Sequence, residues 1–372
     1  MNQWTFPTQI YAGEDSLQRL TEFNNESILI ICDPFLKDSP NLTHVISLMD
    51  SKNKVTIYTD VVPDPPITHV VKGIEFMEGI KPTIIIAIGG GSCIDMSKGI
   101  AYFGRKLKHM DIKSFIAIPT TSGTGSEVTS FAVLTDSETQ TKYPLVDDAV
   151  LPDEALLTPL FVKTSPPNVT AFSGMDVLVH ALEAYVATAA NNFTDALAQQ
   201  AIELVFEYLP KCHKPTATEH DRMSMHEASC LAGLSFNRAG LGIVHAMAHQ
   251  LGGQFHVPHG LANSMLLPHV IGFNCSRNPA VAKKYARLSA KLGFAAHNAS
   301  DSDKLVALIE AIVTLQDTLN CPMNLTAFGV DKTTSESKLD LMADRALEDM
   351  CYRFNPYPAN HDDLISLYKK VL

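Results

Sequence analysis

The sequence predicts an α/β domain followed by an all-α helical domain, because the spacing of apolar residues changes part-way along the chain. In roughly the first 160 residues, short apolar runs rich in Ile and Val end at turn residues. Beyond Ser165-Pro166-Pro167, long segments carry apolar residues at helical spacing and few strand signals remain. A chain of 372 residues has room for two ordinary domains, and we place the boundary near 160–166, giving domains of 1–162 and 163–372.

Four continuous apolar runs predict the strands of the first domain, at 27–31, 55–58, 83–88 and 115–118. Runs without alternation are typical of strands that are buried on both faces of a parallel sheet. Helices are predicted between strands at 67–79 and 93–104, and the stretch 131–158 predicts a hairpin.

The second domain is predicted to contain helices at 168–189, 193–208, 218–238, 240–253, 278–292 and 301–319. Small and polar residues at 293–302 and 333–337 predict surface loops.

Composition excludes several classes of function. The net charge of −11 and the lack of a Lys/Arg block disfavour binding to nucleic acid or to an anionic membrane. Seven scattered cysteines without a C-x-x-C indicate reduced thiols in a cytoplasmic protein. The N-terminal residues lack a basic segment followed by an apolar run, and no apolar stretch is long enough to span a membrane, so we expect neither secretion nor membrane insertion.

A glycine loop lies between a predicted strand and a predicted helix. Residues Gly89-Gly90-Gly91-Ser92 offer backbone N–H groups without side-chain obstruction, at a helix N-terminus that favours negative charge. The loop therefore predicts a pyrophosphate site in a Rossmann-like, dinucleotide-binding domain. It is not G-x-G-x-x-G, because Ile94 stands where the third Gly belongs, and a simple tight turn is the alternative.

A second loop, Pro119 to Glu127, follows the next predicted strand and contains Thr120, Thr121 and Ser126. Ligands bind parallel sheets at the carboxyl ends of strands, so we expect both loops to line one crevice. Asp33 follows the first strand; its carboxylate could bind a ribose diol and would repel a 2′-phosphate, which favours NAD(H) over NADP(H). Turn formation by Asp33 and helix capping by Ser92 and Thr121 are the alternative roles.

A metal site is indicated by the spacing of acidic and imidazole side chains. Asp176 and His180 are four residues apart, as are His245 and His249, so each pair lies on one face of its helix. His259 follows Pro258, where the chain can turn back. One Asp and three His supply four ligands for a divalent transition metal, and this ligand set does not distinguish Fe²⁺ from Zn²⁺.

These motifs together resemble the iron-dependent (group III) alcohol dehydrogenases. The resemblance rests on Gly89 to Ser92 with Asp95 and Lys98, on Pro119 to Glu127, on Gly174 to Glu183, and on Gly240 to Gly260. It covers essentially the whole chain. Within the family, the chain is most similar to the enzymes that are found in propanediol-utilisation microcompartments.

The resemblance implies a dehydroquinate synthase-like, iron-dependent alcohol dehydrogenase fold and a role for each matching residue. The implied metal ligands are Asp176, His180, His245 and His259, and His249 is the implied catalytic residue near the reacting carbon. The implied cofactor contacts are Asp33, Gly90, Gly91, Ser92, Thr120, Thr121, Ser126 and Lys142. The implied substrate-pocket residues are Phe131, Phe236, Leu241 and Cys351.

We therefore expect an NAD(H)-linked, Fe²⁺-dependent (or Zn²⁺-dependent) dehydrogenase that reduces a small aldehyde to its primary alcohol. A dehydroquinate synthase-like lyase is one alternative, although its polyanionic substrate would require several Arg and Lys where this chain has Phe131, Phe236 and Leu241. A non-catalytic microcompartment component is another. The resemblance also implies a homodimer, in the cytoplasm or within a bacterial microcompartment, with an aldehyde dehydrogenase or shell proteins as partners.

Overall fold

The computed structural model describes residues 5–136 and 141–372, so the first four residues of the N-terminal segment considered above lie outside the described part. The chain divides into two compact units, Met1–Ser165 and Pro166–Leu372. The first contains the parallel sheet and the second is built of helices, which confirms the predicted order of an α/β part followed by an all-helical part.

A six-stranded parallel sheet forms the centre of the first unit, in the order β1-β8-β5-β4-β2-β3. Its strands are β1 (Gln9–Ala12), β2 (Ser27–Cys32), β3 (Lys54–Tyr58), β4 (Ile84–Gly89), β5 (Ser114–Pro119) and β8 (Glu154–Leu157). The four predicted strands are confirmed as β2 to β5. The strands β1 and β8 were not predicted, because each has only four residues and the runs 9–12 and 154–157 include Gln9 and Glu154.

Burial of both sheet faces explains why the central strands are continuously apolar. In β2, Ile28 and Ile30 pack into one hydrophobic cluster together with Leu42, whereas Leu29 and Ile31 belong to the cluster on the other face. Successive side chains of a strand point to opposite faces, so a strand covered on both sides needs an apolar residue at every position.

The helices of this unit are α1 (Pro40–Ser47), α2 (Ile67–Ile80), α3 (Gly91–Lys108) and α4 (Pro159–Val162). The predicted hairpin is also present, as antiparallel strands β6 (Phe131–Asp136) and β7 (Thr141–Val146). Both helices predicted between strands, α2 and α3, are confirmed.

The second unit consists of the helices α5 (Pro167–Val186), α6 (Asn192–Cys212), α7 (Glu219–Ala239), α8 (Ile243–Phe255), α9 (His259–Arg277), α10 (Pro279–Lys291), α11 (Asp301–Thr318), α12 (Leu325–Phe328), α13 (Lys332–Glu336), α14 (Leu339–Glu348) and α15 (His361–Tyr368). The six predicted helices correspond to α5 to α8, α10 and α11.

Two predictions in this unit were wrong or incomplete. The helix α9 was not predicted, because proline normally interrupts a helix and this segment contains Pro258 and Pro268. In the structure, Pro258 occupies the N-cap and Pro268 is accommodated within the helix. The loop predicted at 333–337 is largely the short helix α13, which Asp331 caps by accepting a hydrogen bond from the Thr334 amide.

The helix α5 is the centre of the second unit, since almost all of its residues from Thr170 to Val186 are buried. A helix that is apolar all round belongs in a core. Asp176, His180 and Glu183 lie in this buried stretch, and buried charges require partners. The position of these three side chains is therefore the strongest structural indication of a site. Among the described residues, no helix combines the length and apolarity required to cross a membrane.

Candidate active site

Three helices bring four potential ligands together. Asp176 and His180 come from α5, His245 from α8, and His259 is the first residue of α9. One ligand atom from each lies within 4.8 Å of the others, and all but His259 are buried. The Oδ1 atom of Asp176 lies 3.8 Å from Nε2 of His245 and 3.6 Å from Nε2 of His259.

A glycine allows α9 to approach α5 at this point. A Cβ atom at Gly260 would lie 2.0 Å from the carbonyl oxygen of Phe172 and 3.1 Å from Cβ of Asp176. Any larger residue would push the start of α9 away from α5. Gly260 therefore keeps His259 within reach of the other three side chains.

The electrostatics of the cluster suit a divalent cation. Burial raises the pKa of the Asp176 carboxyl, an effect that His180 and Asn263 oppose. Burial also lowers the pKa of His245 well below the ordinary histidine value, which keeps its imidazole neutral. Neutral imidazole nitrogens and a buried carboxylate are the donors that Fe²⁺ and Zn²⁺ accept. The donor set therefore fits the implied metal.

Asn263, on α9, lies at the centre of this cluster. Its Nδ2 atom is 2.7 Å from Oδ1 of Asp176, 3.1 Å from Nε2 of His245 and 3.2 Å from Nε2 of His259. Its buried Oδ1 atom makes no hydrogen bond within the described part of the chain. The two ends of a carboxamide are told apart by their hydrogen bonds alone. Rotation by 180° would turn an oxygen toward the cluster, an arrangement that also fits a cation.

Glu183 contacts one of the four predicted ligands, and sequence reasoning did not assign it a role. Its Oε2 atom lies 2.6 Å from Nδ1 of His245, and its Oε1 atom accepts a hydrogen bond of 2.7 Å from the Val244 amide. Burial raises the pKa of the Glu183 carboxyl to about 7, although the amides of residues 242, 244 and 245 oppose the shift. The sequence signal was its spacing, since Glu183 is three residues beyond His180 on the same helix.

His249 is held by a second carboxylate that sequence reasoning also missed. The Nδ1 atom of His249 lies 2.7 Å from Oδ2 of Asp349, whose Oδ1 atom accepts a hydrogen bond of 2.9 Å from the Cys351 amide. The His249 ring centroid is 5.3 Å from that of His259 and 6.2 Å from that of His245. His249 is therefore adjacent to the ligand cluster. No sequence pattern indicated that residues 100 positions apart would pair.

The predicted pocket residues lie in different parts of the chain. The ring of Phe236 stacks on His180 with centroids 4.4 Å apart, and His180 stacks on His245 at 4.6 Å. Leu241 is buried, and Cys351 is partly buried beside Asp349. Burial, and next Asp349, raise the pKa of the Cys351 thiol well above its ordinary value, so the thiol stays protonated and is a poor nucleophile. Phe131 lies in the α/β unit, at the start of β6.

In the α/β unit, the two predicted loops meet at one edge of the sheet. They follow β4 and β5, which are neighbours, and Asp33 follows β2 on the other side of β4. The Gly90 amide donates a hydrogen bond of 3.2 Å to Oδ2 of Asp33. A Cβ atom at Gly91 would lie 2.7 Å from Cγ2 of Thr124. The close packing of both loops therefore depends on glycine.

The remaining predicted cofactor residues lie in the segments that follow β4 and β5, except Lys142, which lies in β7. The Thr120 amide donates to the Gly89 carbonyl at 3.0 Å, and the Ser126 hydroxyl donates to Asp95 at 2.5 Å. Lys142 forms an exposed ion pair of 2.8 Å with Asp64. Capping by Ser92 or Thr121 is not observed: Gly90 is the N-cap of α3, and neither hydroxyl caps a helix among the described residues. Ser92 instead accepts a hydrogen bond of 3.4 Å from the Asp64 amide.

Two profiles of one protein family together match almost the whole chain. The profile of the iron-containing alcohol dehydrogenases matches residues 7–159, and the profile of the C-terminal part of the Fe-containing alcohol dehydrogenase family matches residues 170–372. The 1-propanol dehydrogenase PduQ of Salmonella typhimurium is 44% identical over 372 residues, covering 100% of both chains. The NADPH-dependent butanol dehydrogenase of Clostridium saccharobutylicum is 37% identical over 387 aligned residues, covering 100% of this chain and 98% of its own.

Solved structures have the same fold. A 1,3-propanediol oxidoreductase superposes with a TM-score of 0.92 at 32% identity, and all of both chains is covered. The sulfoacetaldehyde reductase of Bifidobacterium kashiwanohense, solved in complex with NAD⁺, superposes with a TM-score of 0.86 at 26% identity, covering 100% of this chain and 98% of its own.

Proposed function

The chain belongs to the iron-containing alcohol dehydrogenase family, and on that premise we propose that it reduces short aldehydes with NADH. It is a metal-dependent primary alcohol dehydrogenase that uses NAD(H) and Fe²⁺. The proposed reaction converts propionaldehyde to 1-propanol, or acetaldehyde to ethanol, and regenerates NAD⁺. The full-length similarity to a 1-propanol dehydrogenase supports this substrate class.

The observation that carries the proposal is the cluster of Asp176, His180, His245 and His259, whose ligand atoms lie within 4.8 Å of one another. We propose that these four side chains hold Fe²⁺, with Zn²⁺ as the alternative ion. When bound, the metal supplies a Lewis acid for the carbonyl oxygen, and the nicotinamide supplies the hydride.

The chain's own residues have three further proposed roles. Gly90, Gly91, Ser92, Thr120, Thr121, Ser126 and Lys142 bind the dinucleotide, and Asp33 accepts hydrogen bonds from its ribose. Phe236, Leu241 and Cys351 exclude water from a small, uncharged substrate. His249 supplies the proton that the substrate oxygen takes up on reduction.

These roles assign a task to each predicted domain. We place the dinucleotide in domain 1–162, which contains both glycine loops, and the metal and substrate in domain 163–372, which contains the ligand cluster.

A dehydroquinate synthase-like lyase and a non-catalytic microcompartment component are not favoured, because the similar proteins that align with the whole chain are alcohol dehydrogenases.

We further propose that the chain forms a homodimer in the cytoplasm and works there inside a bacterial microcompartment, with an aldehyde dehydrogenase or shell proteins as partners. The resemblance to the propanediol-utilisation subgroup supports this. Co-sedimentation of the protein with purified microcompartments is the expected result, and its recovery entirely outside them would refute this part.

The function is tested by NADH absorbance with propionaldehyde, using metal-free protein with and without added Fe²⁺. We expect oxidation of NADH only with the metal, and loss of activity with a chelator. His245→Ala should be inactive, whereas His297→Ala, at an exposed histidine in the 293–302 loop, should be fully active. Full activity of His245→Ala would exclude the metal mechanism.

A further inference from the structure

We propose that Asp349 is a positioning residue that fixes the proton of His249 on Nδ1 and so leaves Nε2 to exchange a proton with the substrate. The inference deepens the proposed function and rests on it.

The contacts of Asp349 define which atom of His249 carries the proton. Its Oδ2 atom lies 2.7 Å from Nδ1 of His249, and its Oδ1 atom is held by the Cys351 amide at 2.9 Å. Burial acts to raise the pKa of Asp349, but the charge and hydrogen bond of His249 and the Cys351 amide outweigh it and lower the pKa to about 2. An ionised carboxylate only accepts hydrogen bonds, so Nδ1 of His249 must be the donor.

The position of the pair makes this choice relevant to the reaction. The His249 ring lies beside the rings of His245 and His259, which belong to the ligand cluster. Because Nδ1 faces Asp349, Nε2 is the ring nitrogen available for proton exchange. A histidine whose other nitrogen is held by a carboxylate is fixed in both tautomer and orientation.

Both partners lie on helices that pack against each other. His249 lies within α8, and Asp349 is the C-cap of α14, which packs against α8. The side chains of His249 and Asp349 are only 23% and 13% exposed, so water competes weakly for their hydrogen bond. A second aspartate–histidine pair involving α14, Asp344 and His361, is exposed and serves as a comparison. Their atoms are 3.4 Å apart, but the Asp344 side chain is 69% exposed.

The first test replaces Asp349 with asparagine, which keeps the size of the side chain. If Oδ1 of the new asparagine still accepts the hydrogen bond from the Cys351 amide, its NH₂ group faces Nδ1 of His249. Because an NH₂ group donates, Nδ1 must then accept, and the proton of the neutral ring lies on Nε2. We expect kcat to fall roughly 10²- to 10⁴-fold, the usual contribution of a general acid or base, with KM and metal content close to those of the wild type. Asp344→Asn, which removes the exposed pair, should leave kcat unchanged.

The second test is a double-mutant cycle. If Asp349 acts through His249, then Asp349→Asn should cost no further activity once His249→Ala is present. Additive losses in the double variant would show that Asp349 acts independently of His249 and would overturn the proposal.

The third test does not depend on dehydrogenase activity. ¹⁵N NMR of the wild-type protein loaded with diamagnetic Zn²⁺, at alkaline pH, reports the tautomer of each histidine, and His249→Gln identifies the signal. We expect the Nδ1–H form in the wild type and the Nε2–H form in Asp349→Asn. An Nε2–H form in the wild type would refute the positioning role even in an active enzyme, and the expected tautomers in a protein without activity would refute the dehydrogenase function alone.

Discussion

The Oε2 atom of Glu183 lies 2.6 Å from Nδ1 of His245, whereas Nε2 of the same ring faces Asp176. Both side chains are almost completely buried, with exposures of 6% and 2%. A carboxylate behind a metal-binding histidine sets the tautomer and the orientation of the ring and raises its basicity as a ligand. We therefore expect Glu183 to support the proposed metal centre, although it is not one of the four proposed ligands.

Glu183→Gln should weaken metal binding. Loss of the carboxylate behind His245 is expected to lower the affinity for Zn²⁺ by roughly 10- to 100-fold, measured by competition with a chromophoric chelator. The control is Glu203→Gln, at an exposed position of α6. Equal affinities of Glu183→Gln and the wild type would show that the contact has no role in metal binding.

Gly260→Ala should separate His259 from the other ligands. The added Cβ would lie 2.0 Å from the Phe172 carbonyl, so the start of α9 must shift. We expect at least about a tenfold loss of Zn²⁺ affinity, equivalent to about 1.4 kcal/mol.

A matched control for Gly260→Ala is available in the same helix. A Cβ atom at Gly272 meets nothing within 4 Å, so Gly272→Ala should keep full metal affinity and stabilise the protein by about 0.5–1 kcal/mol, measured by denaturant unfolding. Tight binding by Gly260→Ala would show that the close approach of α9 is not required.

Asp33→Asn should change the choice of cofactor. The amide can still accept the Gly90 hydrogen bond, which is 3.2 Å in the wild type, but it no longer repels a 2′-phosphate. We expect the ratio of kcat/KM for NADPH to that for NADH to rise about tenfold or more. The exposed Asp38→Asn should leave the ratio unchanged. An unchanged ratio in Asp33→Asn would show that other residues discriminate between NADH and NADPH. The question matters because one similar protein is an NADPH-dependent butanol dehydrogenase.

Glu127 should make stability depend on pH. Burial raises its pKa from 4.5 to about 7, although its own backbone amide and Lys98 oppose the shift. Between these values the folded state binds more protons than the unfolded state, so the free energy of unfolding falls as the pH rises from about 4.5 to about 7.

Glu127→Gln stays neutral and should lose this dependence. The quantity to follow is the unfolding free energy of the variant minus that of the wild type, measured by urea unfolding at a series of pH values. This difference should rise by on the order of 2 kcal/mol from acidic to weakly alkaline pH. The exposed Glu14→Gln should follow the wild type throughout. Parallel curves for Glu127→Gln and the wild type would contradict the buried, protonated state of this carboxyl.

The sequence predicted the elements whose physical cause is local. The run 83–88 is apolar at every position because β4 is buried on both faces, and that cause is visible in the residues themselves. The helix α9 escaped prediction because Pro268 normally interrupts a helix, and the packing that accommodates it is a tertiary effect.

The same distinction separates the predicted from the missed site residues. Asp176 and His180 are four residues apart on one helix, so their spacing was enough to predict them as a pair. The pairs Glu183–His245 and His249–Asp349 join residues 62 and 100 positions apart, and only the packing of α5, α8 and α14 brings them together.

The central claim is that Asp176, His180, His245 and His259 share one divalent cation, and an anomalous difference map at the iron absorption edge tests it most directly. Crystals of the Fe²⁺-loaded protein should show one strong peak per chain, within bonding distance of a carboxylate oxygen of Asp176 and one imidazole nitrogen of each histidine. A peak bound by other residues, or the absence of a peak among these four in protein that oxidises NADH, would contradict the account.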